Sequence, residues 1–275
     1  MKRKLPYHAF VLVGLFLFAV IFGPFVIPHD PFETNLKLSI LPPAWQEGGS
    51  TKYLLGTDSM GRDMLSRLIY GSRITLIASL VAICLAGTIG VMLGMISGYF
   101  GGKTDMAIMR TTDIFMSLPL IMMAIILASM LNPSLKSAIL AIGLSGWTGY
   151  ARIVRGEVLS LKEQDYVRLA RVAGCSSKRI LFSHILPNIM NTLIIIVTLQ
   201  LGQVIIAMAA LSFLGLGVQP PSATWGLMLS EGRKYITYAW WLATFPGIAI
   251  LLTVLGFNLM GDWLRDTFDP KQKLR

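Results

Sequence analysis

The chain has 275 residues, of which 54% are hydrophobic and only 14% charged, and its mean hydropathy is +0.66. Soluble domains are about a quarter charged, so this composition excludes a water-soluble globule, and with it intrinsic disorder or a disulfide scaffold built on Cys84 and Cys175 alone. The net charge of +10 would suggest nucleic acid on a soluble chain, but on a polytopic membrane protein it reads as basic cytoplasmic loops.

Runs without Asp, Glu, Lys or Arg mark the spans, since a helix needs roughly 20 apolar residues to cross a ~30 Å hydrocarbon core. They cover residues 5–29, 74–102, 114–135, 137–151, 180–230 and 235–261. The first follows Met1-Lys-Arg-Lys4, exceeds a signal-peptide core in length and ends in Pro28-His29-Asp30 without a small-x-small cleavage site. It is read as an uncleaved first span near residues 9–27. Residues 28–72, with Pro28, Pro31, Pro42 and Pro43, read as an ordered outer loop. Spans follow near 74–96, 112–131 and 134–154, the last short enough that Lys136 and Arg152 should snorkel at its ends. The long run 180–230 supplies one span near 188–210. Beyond it, Leu211, Gly215, Gly217, Pro220 and Pro221 make a backbone that lipid does not tolerate but a protein-lined re-entrant loop does. Trp225, Tyr235, Tyr238, Trp240 and Trp241 read as an aromatic belt at the outer face, ahead of a sixth span near 240–261.

Six spans with both termini inside place 16 of the 24 Lys and Arg on the cytoplasmic side and 8 outside, whereas a seventh span would expose the basic C-terminus. The expected fold is therefore an all-α polytopic membrane protein with six transmembrane helices in one membrane domain.

Several motifs have plainer readings than their chemistry suggests. Gly98-Tyr-Phe-Gly-Gly-Lys-Thr104 lacks the spacing and the preceding strand of a phosphate-binding loop, so it reads as a glycine turn at a helix end. Gly143-Leu-Ser-Gly146 matches the pattern of intramembrane serine proteases. Ser145 would then need a base, and His8, His29 and His184 all lie away from the middle of a span. Small residues there read as a helix interface. No paired-Cys or H-E-x-x-H pattern suggests a metal. Arg73, Asp113 and Asp262 sit at span ends as interfacial anchors, and the lack of a mid-span carboxylate weighs against a secondary transporter, a channel remaining the other transport alternative.

Between the fourth and fifth spans lies a basic segment. Tyr166, Leu169, Ala170 and Ala173 recur at i, i+3, i+4 and i+7 among Arg168, Arg171, Lys178 and Arg179, which predicts a short helix with one apolar-to-small face. Gly174 should close it in a left-handed cap, and Ser176 or Ser177 should cap the next helix. Such an ordered face favours docking of a soluble partner over a mere connection.

This segment resembles the E-A-A-x-x-x-G…L-P loop of permeases in ATP-binding-cassette importers, with Gly174, Leu186 and Pro187 in register. Arg168 stands in place of the family glutamate, Leu169 replaces the first alanine, and Ala170 is the second. More of the chain resembles the oligopeptide, dipeptide and nickel branch, and specifically its C-type permease. The matching stretches are LGTDSMGRDMLSR (55–67), GYFGG (98–102), YARIVR (150–155), LSFLGLGVQPP (211–221) and FNLMGDWLRDTFDP (257–270). The resemblance implies a type I importer half-channel in a bacterial inner membrane, with an N-terminal region 1–72 and a permease domain 73–275 that carries a coupling loop, 155–187. Implied partners are a homologous sister permease, two cytoplasmic ATPases, an extracytoplasmic solute-binding protein and membrane lipid, with no nucleic acid. The chain itself binds no cofactor and is not an enzyme, because ATP and Mg belong to the ATPases. Peptides are the implied solutes, with glutathione and metal chelates as branch alternatives.

Overall fold

The computed structural model describes residues 6–268, so Met1-Lys-Arg-Lys4 and the basic residues Lys271, Lys273 and Arg275 lie outside the described residues. Helices dominate, and the β-structure among the described residues is a single bridge between Thr57 and Asp63. The helices are α1 Tyr7–Val26, α2 Met64–Phe100, α3 Gly102–Met116, α4 Leu120–Ser129, α5 Leu135–Leu161, α6 Asp165–Val172, α7 Ser177–Arg179, α8 Leu186–Phe213, α9 Trp225–Arg233 and α10 Trp241–Phe268.

Four apolar stretches are long enough to cross a membrane: α1, α2, Ser177–Phe213 and α10. The third expected span is not one helix. The chain bends by 86° between α3 and α4, because Pro119 has no N–H and disfavours helical backbone at Leu118. Ser117 N–H closes α3 on Asp113 O at 3.0 Å, and Met123 N–H opens α4 on Pro119 O at 3.1 Å. Counted as one, this bent pair gives a fifth span. Helix α5 is 27 residues long but less apolar, and its small and polar residues Ala141, Gly143, Ser145 and Thr148 are buried. A helix shielded by its neighbours does not need an apolar circumference.

Side-chain pairing gives the directions. Antiparallel contacts join Phe10 to Trp263 and Phe16 to Phe257 across α1 and α10. A Cβ on Gly202 would meet Asn258 and one on Gly261 would meet Leu199, so α8 opposes α10. By contrast α2 and α5 run parallel. Gly90, Gly94 and Gly98 of α2 face Trp147 O, Ala151 O and Arg155 O of α5, where a Cβ would come within 2.3, 2.6 and 2.9 Å. Only glycine admits so close a backbone approach, and the four-residue spacing repeats it once per turn. Helix α3 opposes α5 through Asp105–Arg155 and Phe115–Trp147, and α4 turns away from α3 by 86°.

Helix α2 has 37 residues, about 55 Å at 1.5 Å per residue, and so exceeds the span expected at 74–96 at both ends. Asp63 caps it by accepting from Ser66 N–H at 2.9 Å. Residues 27–63 form an ordered loop held by Asn35 N–H to Met60 O, Ile40 N–H to Asp58 O and Ala44 N–H to Leu54 O, at 3.0–3.1 Å. The expected aromatic belt is corrected in part. Trp225 and Trp241 are buried, donating Nε1–H to Leu68 O at 2.9 Å and Thr57 O at 3.4 Å, whereas Tyr238 and Trp240 are exposed. Hydropathy cannot tell a lipid-facing indole from one packed inward.

Candidate functional site

The basic segment folds as a knuckle at the far end of α2. Helix α6 ends in a Schellman motif: Cys175 N–H donates to Ala170 O at 3.0 Å and Gly174 N–H to Arg171 O at 3.1 Å, with Gly174 at φ +79°. Ser176 then caps α7 by accepting from Arg179 N–H at 3.4 Å. A π-helical turn at Ile180–Ile185 joins α7 to α8, which starts with Pro187 in its first turn. The wider turn suits a proline that cannot donate, and Asn188 Nδ2 satisfies His184 O at 2.6 Å.

Val167, fully buried, anchors α6 in a second hydrophobic core with Val154 and Val158 of α5, Met95 of α2, and Ile180 and Ile185. Ala170 and Leu186 are half-buried against the same cluster, and Arg171 stacks on Tyr99 at 5.5 Å. Outward face Tyr166, Leu169 and Ala173, as the spacing predicts, but Ala170 turns inward and Val172 joins the exposed side. Leu169 is 67% and Val172 86% exposed, and they stand among the charged residues Arg168 and Arg171 on a short helix outside the apolar spans. Val172 fell outside the i, i+3, i+4, i+7 template, and Val167 was hidden among charged neighbours. Pro187 is exposed on α8. Arg168 is engaged on its own chain, 2.6 Å from Glu163, and holds that carboxyl below the usual carboxylate range.

Above the knuckle, Arg155 makes a bidentate pair with Asp105 at 2.5 and 2.6 Å, and Ser97 Oγ donates to the same carboxylate. Lys162 Nζ donates to Gly98 O at 3.0 Å, so α2, α3 and α5 are tied where α6 departs. The turn at Gly101 and Gly102 has positive φ at both residues, as expected for a helix-end turn.

At the other end of α2 the chain folds back after α8. Leu211 is buried in α8, Gly215 has φ +79°, and Gly217 lies against Ser212. After the exposed Pro220 and Pro221, α9 returns along α8, with Ser230 Oγ donating to Phe213 O at 2.8 Å and Gly226 against Ala209. Beside it lies a cluster that sequence reading missed. Arg62 Nε is 2.6 Å and Arg67 Nε 3.3 Å from the Asp58 carboxylate, and both guanidinium groups stand 3.4 Å from Glu231. Arg67 is fully buried, and burial pushes the Glu231 carboxyl up. Local pattern gives no signal for pairs separated by more than 160 positions.

Ser145 is buried and donates to Ala141 O at 2.6 Å, the back-bonded state of a packing serine, while Gly143 and Gly146 lie against Leu85 and Ala86. Among the described residues no three His, Cys, Asp or Glu side chains gather as a metal site.

A family model described as "Binding-protein-dependent transport system inner membrane component" matches residues 90–274. The chain is 45% identical over 267 residues to the "Dipeptide transport system permease protein DppC" of Haemophilus influenzae, covering 95% of this chain and 90% of that protein. It is 43% identical to the "Di/tripeptide transport system permease protein DppC" of Pseudomonas aeruginosa, covering 94% and 86%. It is also 42% identical to the "Probable D,D-dipeptide transport system permease protein DdpC" of Escherichia coli, covering 95% and 86%. Among solved structures, an inward-facing MetNI methionine ABC transporter has a chain that aligns with a TM-score of 0.60 at 19% identity, over 74% of this chain and 97% of that one. That likeness carries the fold alone.

Proposed function

Because the chain belongs to the family of binding-protein-dependent transport system inner membrane components, we propose that it is half of the translocation path of a peptide importer, coupled through α6 to an ATPase. Its role is that of a transport subunit and not an enzyme, with ATP hydrolysis carried by separate ATPase subunits. In this reading a homologous sister permease completes the path, and two ATPases dock on the cytoplasmic side. A binding protein delivers the solute outside. In this reading the N-terminal region 1–72 comprises α1, the outer loop and the first turns of α2, region 73–275 is the permease domain with its coupling loop 155–187, and both termini belong to the cytoplasmic side.

The observation that carries the coupling role is the exposure of Leu169 and Val172 on a helix fixed by Val167 and capped by Gly174. An ordered apolar face at the basic end of the molecule suits a groove on a soluble subunit. Docked there, α6 passes movement to α5 and α2 through the shared core around Val167 and the ties of Arg155 and Lys162. Closure of the ATPases on ATP then favours one of two arrangements of the spans, the differential contact that a population shift requires. Peptides are the solute class, in line with the relatives' names; glutathione and nickel chelates are alternatives that the same assay separates.

The test is reconstitution of the chain with its sister permease, ATPases and binding protein in vesicles. ATP-dependent uptake of a labelled dipeptide is the expected result. Uptake without the ATPases would overturn the reading, as would cleavage of a model span that is lost on Ser145→Ala.

A further inference from the structure

A cavity of about 510 Å³ opens over the buried ion cluster, at the end of α2 opposite the knuckle. That volume lies in the range of small-molecule sites. Three separate segments build it: the outer loop, the Pro220–Pro221 turn and the C-terminal end of α9. It presents charges of both signs. Glu231 is 29% exposed, and its two arginine contacts, at 3.4 Å, are long beside the 2.6 Å pair of Arg62 with Asp58. The carboxylate is thus held in place by two cations but bonded closely by neither, and it retains capacity for a donor. Three residues on, Lys234 is exposed and has no acidic partner among the described residues. Phe32, Met60 and Tyr235 add apolar wall.

An anionic ligand alone would meet the Glu231 charge, and a cationic one the charges of Lys234 and Arg62. A small molecule with an ammonium at one end and a carboxylate at the other meets neither penalty. We propose that this cavity is a subsite of the permease for the charged termini of a short peptide. The ammonium lies against Glu231 and the carboxylate against Lys234, with Arg62 behind, while side chains rest on Phe32, Met60 and Tyr235. The inference rests on the peptide-importer reading and adds to it a place on this chain where the solute is held by its termini. A concave, two-signed pocket with apolar walls suits a small zwitterion better than the loop of a docked protein, for which a flat surface would serve.

The experiment uses the complete complex in nanodiscs, without binding protein or ATP, and reads binding of L-alanyl-L-phenylalanine by saturation-transfer NMR. Its N-acetylated and C-amidated forms are compared. We expect each capped form to bind at least about tenfold more weakly. Lys234→Gln should weaken the free dipeptide by a similar factor, leave the amide form unchanged, and be rescued by Lys234→Arg. Equal binding of capped and free forms overturns the proposal, as does unchanged affinity in Lys234→Gln. So does a defect in Lys234→Gln confined to association with the binding protein. ATP-driven uptake by the wild-type complex with its binding protein, measured in parallel, separates the two levels. Uptake without this binding sinks the subsite alone, and failure of dipeptide uptake sinks the importer reading.

Discussion

Gly174 at φ +79° has nothing within 4 Å of the position its Cβ would take, so any substitution there is felt through the backbone and not through a clash. A β-branched residue resists the left-handed region by about 1–2 kcal/mol, whereas asparagine enters it readily. Gly174→Val should therefore uncouple ATPase activity from uptake while the spans stay inserted, and Gly174→Asn should retain most coupling. Measured ATPase and uptake rates that fall equally for both would contradict this. A second residue-scale expectation concerns Asp105, whose bidentate bond from Arg155 ties α3 to α5. Asp105→Asn should be less heat-stable than wild type in a fluorescence melt, and Arg155→Gln should add little further loss in that background, because the two act as one pair. Fully additive losses would rule out the pair as the source.

Among the elements, α6 separates two tasks on its two sides. Val167 faces the core shared with α2 and α5, so Val167→Ala should lower stability by about 2 kcal/mol from lost burial and the cavity left behind. Leu169 and Val172 face outward, and Leu169→Glu or Val172→Glu should leave the melting point unchanged while reducing co-purification of the ATPases. Full ATPase recovery with both glutamate variants would remove α6 as the docking element. Arg168 is the departure from the family pattern, and it pairs with Glu163 of its own chain at 2.6 Å. Among the helices, α3 and α4 illustrate a limit of reading charge-free runs as spans. Residues 114–135 contain no charge, yet Pro119 ends one helix and starts another at 86°.

For the whole molecule, the outer loop and the knuckle lie at opposite ends of α2, about 55 Å apart along its axis. The positive-inside rule predicts the knuckle on the cytoplasmic side and Ser50 outside. A cysteine introduced at Ser50, in a background of Cys84→Ala and Cys175→Ala, should react with an impermeant maleimide added outside intact cells. Reaction only after exposure of the cytoplasmic face would invert the topology.

Composition, charge-free runs and the distribution of lysine and arginine determined from sequence alone that this is a multi-span helical membrane protein. The resemblance of its motifs, the stretches across residues 55–270 together with the loop from Gly174 to Pro187, identified the permease family. These features were legible because bilayer thickness fixes the length of an apolar run, and because a left-handed cap selects glycine. The pairing of distant segments was not legible. Gly90, Gly94 and Gly98 register on Trp147, Ala151 and Arg155 only once α2 and α5 are parallel, and Glu231 meets Arg62 and Arg67 only after α9 has folded back. Which indoles face lipid, which side of α6 is anchored, and where charges gather are likewise decided by tertiary packing, since burial depends on what another part of the chain brings alongside.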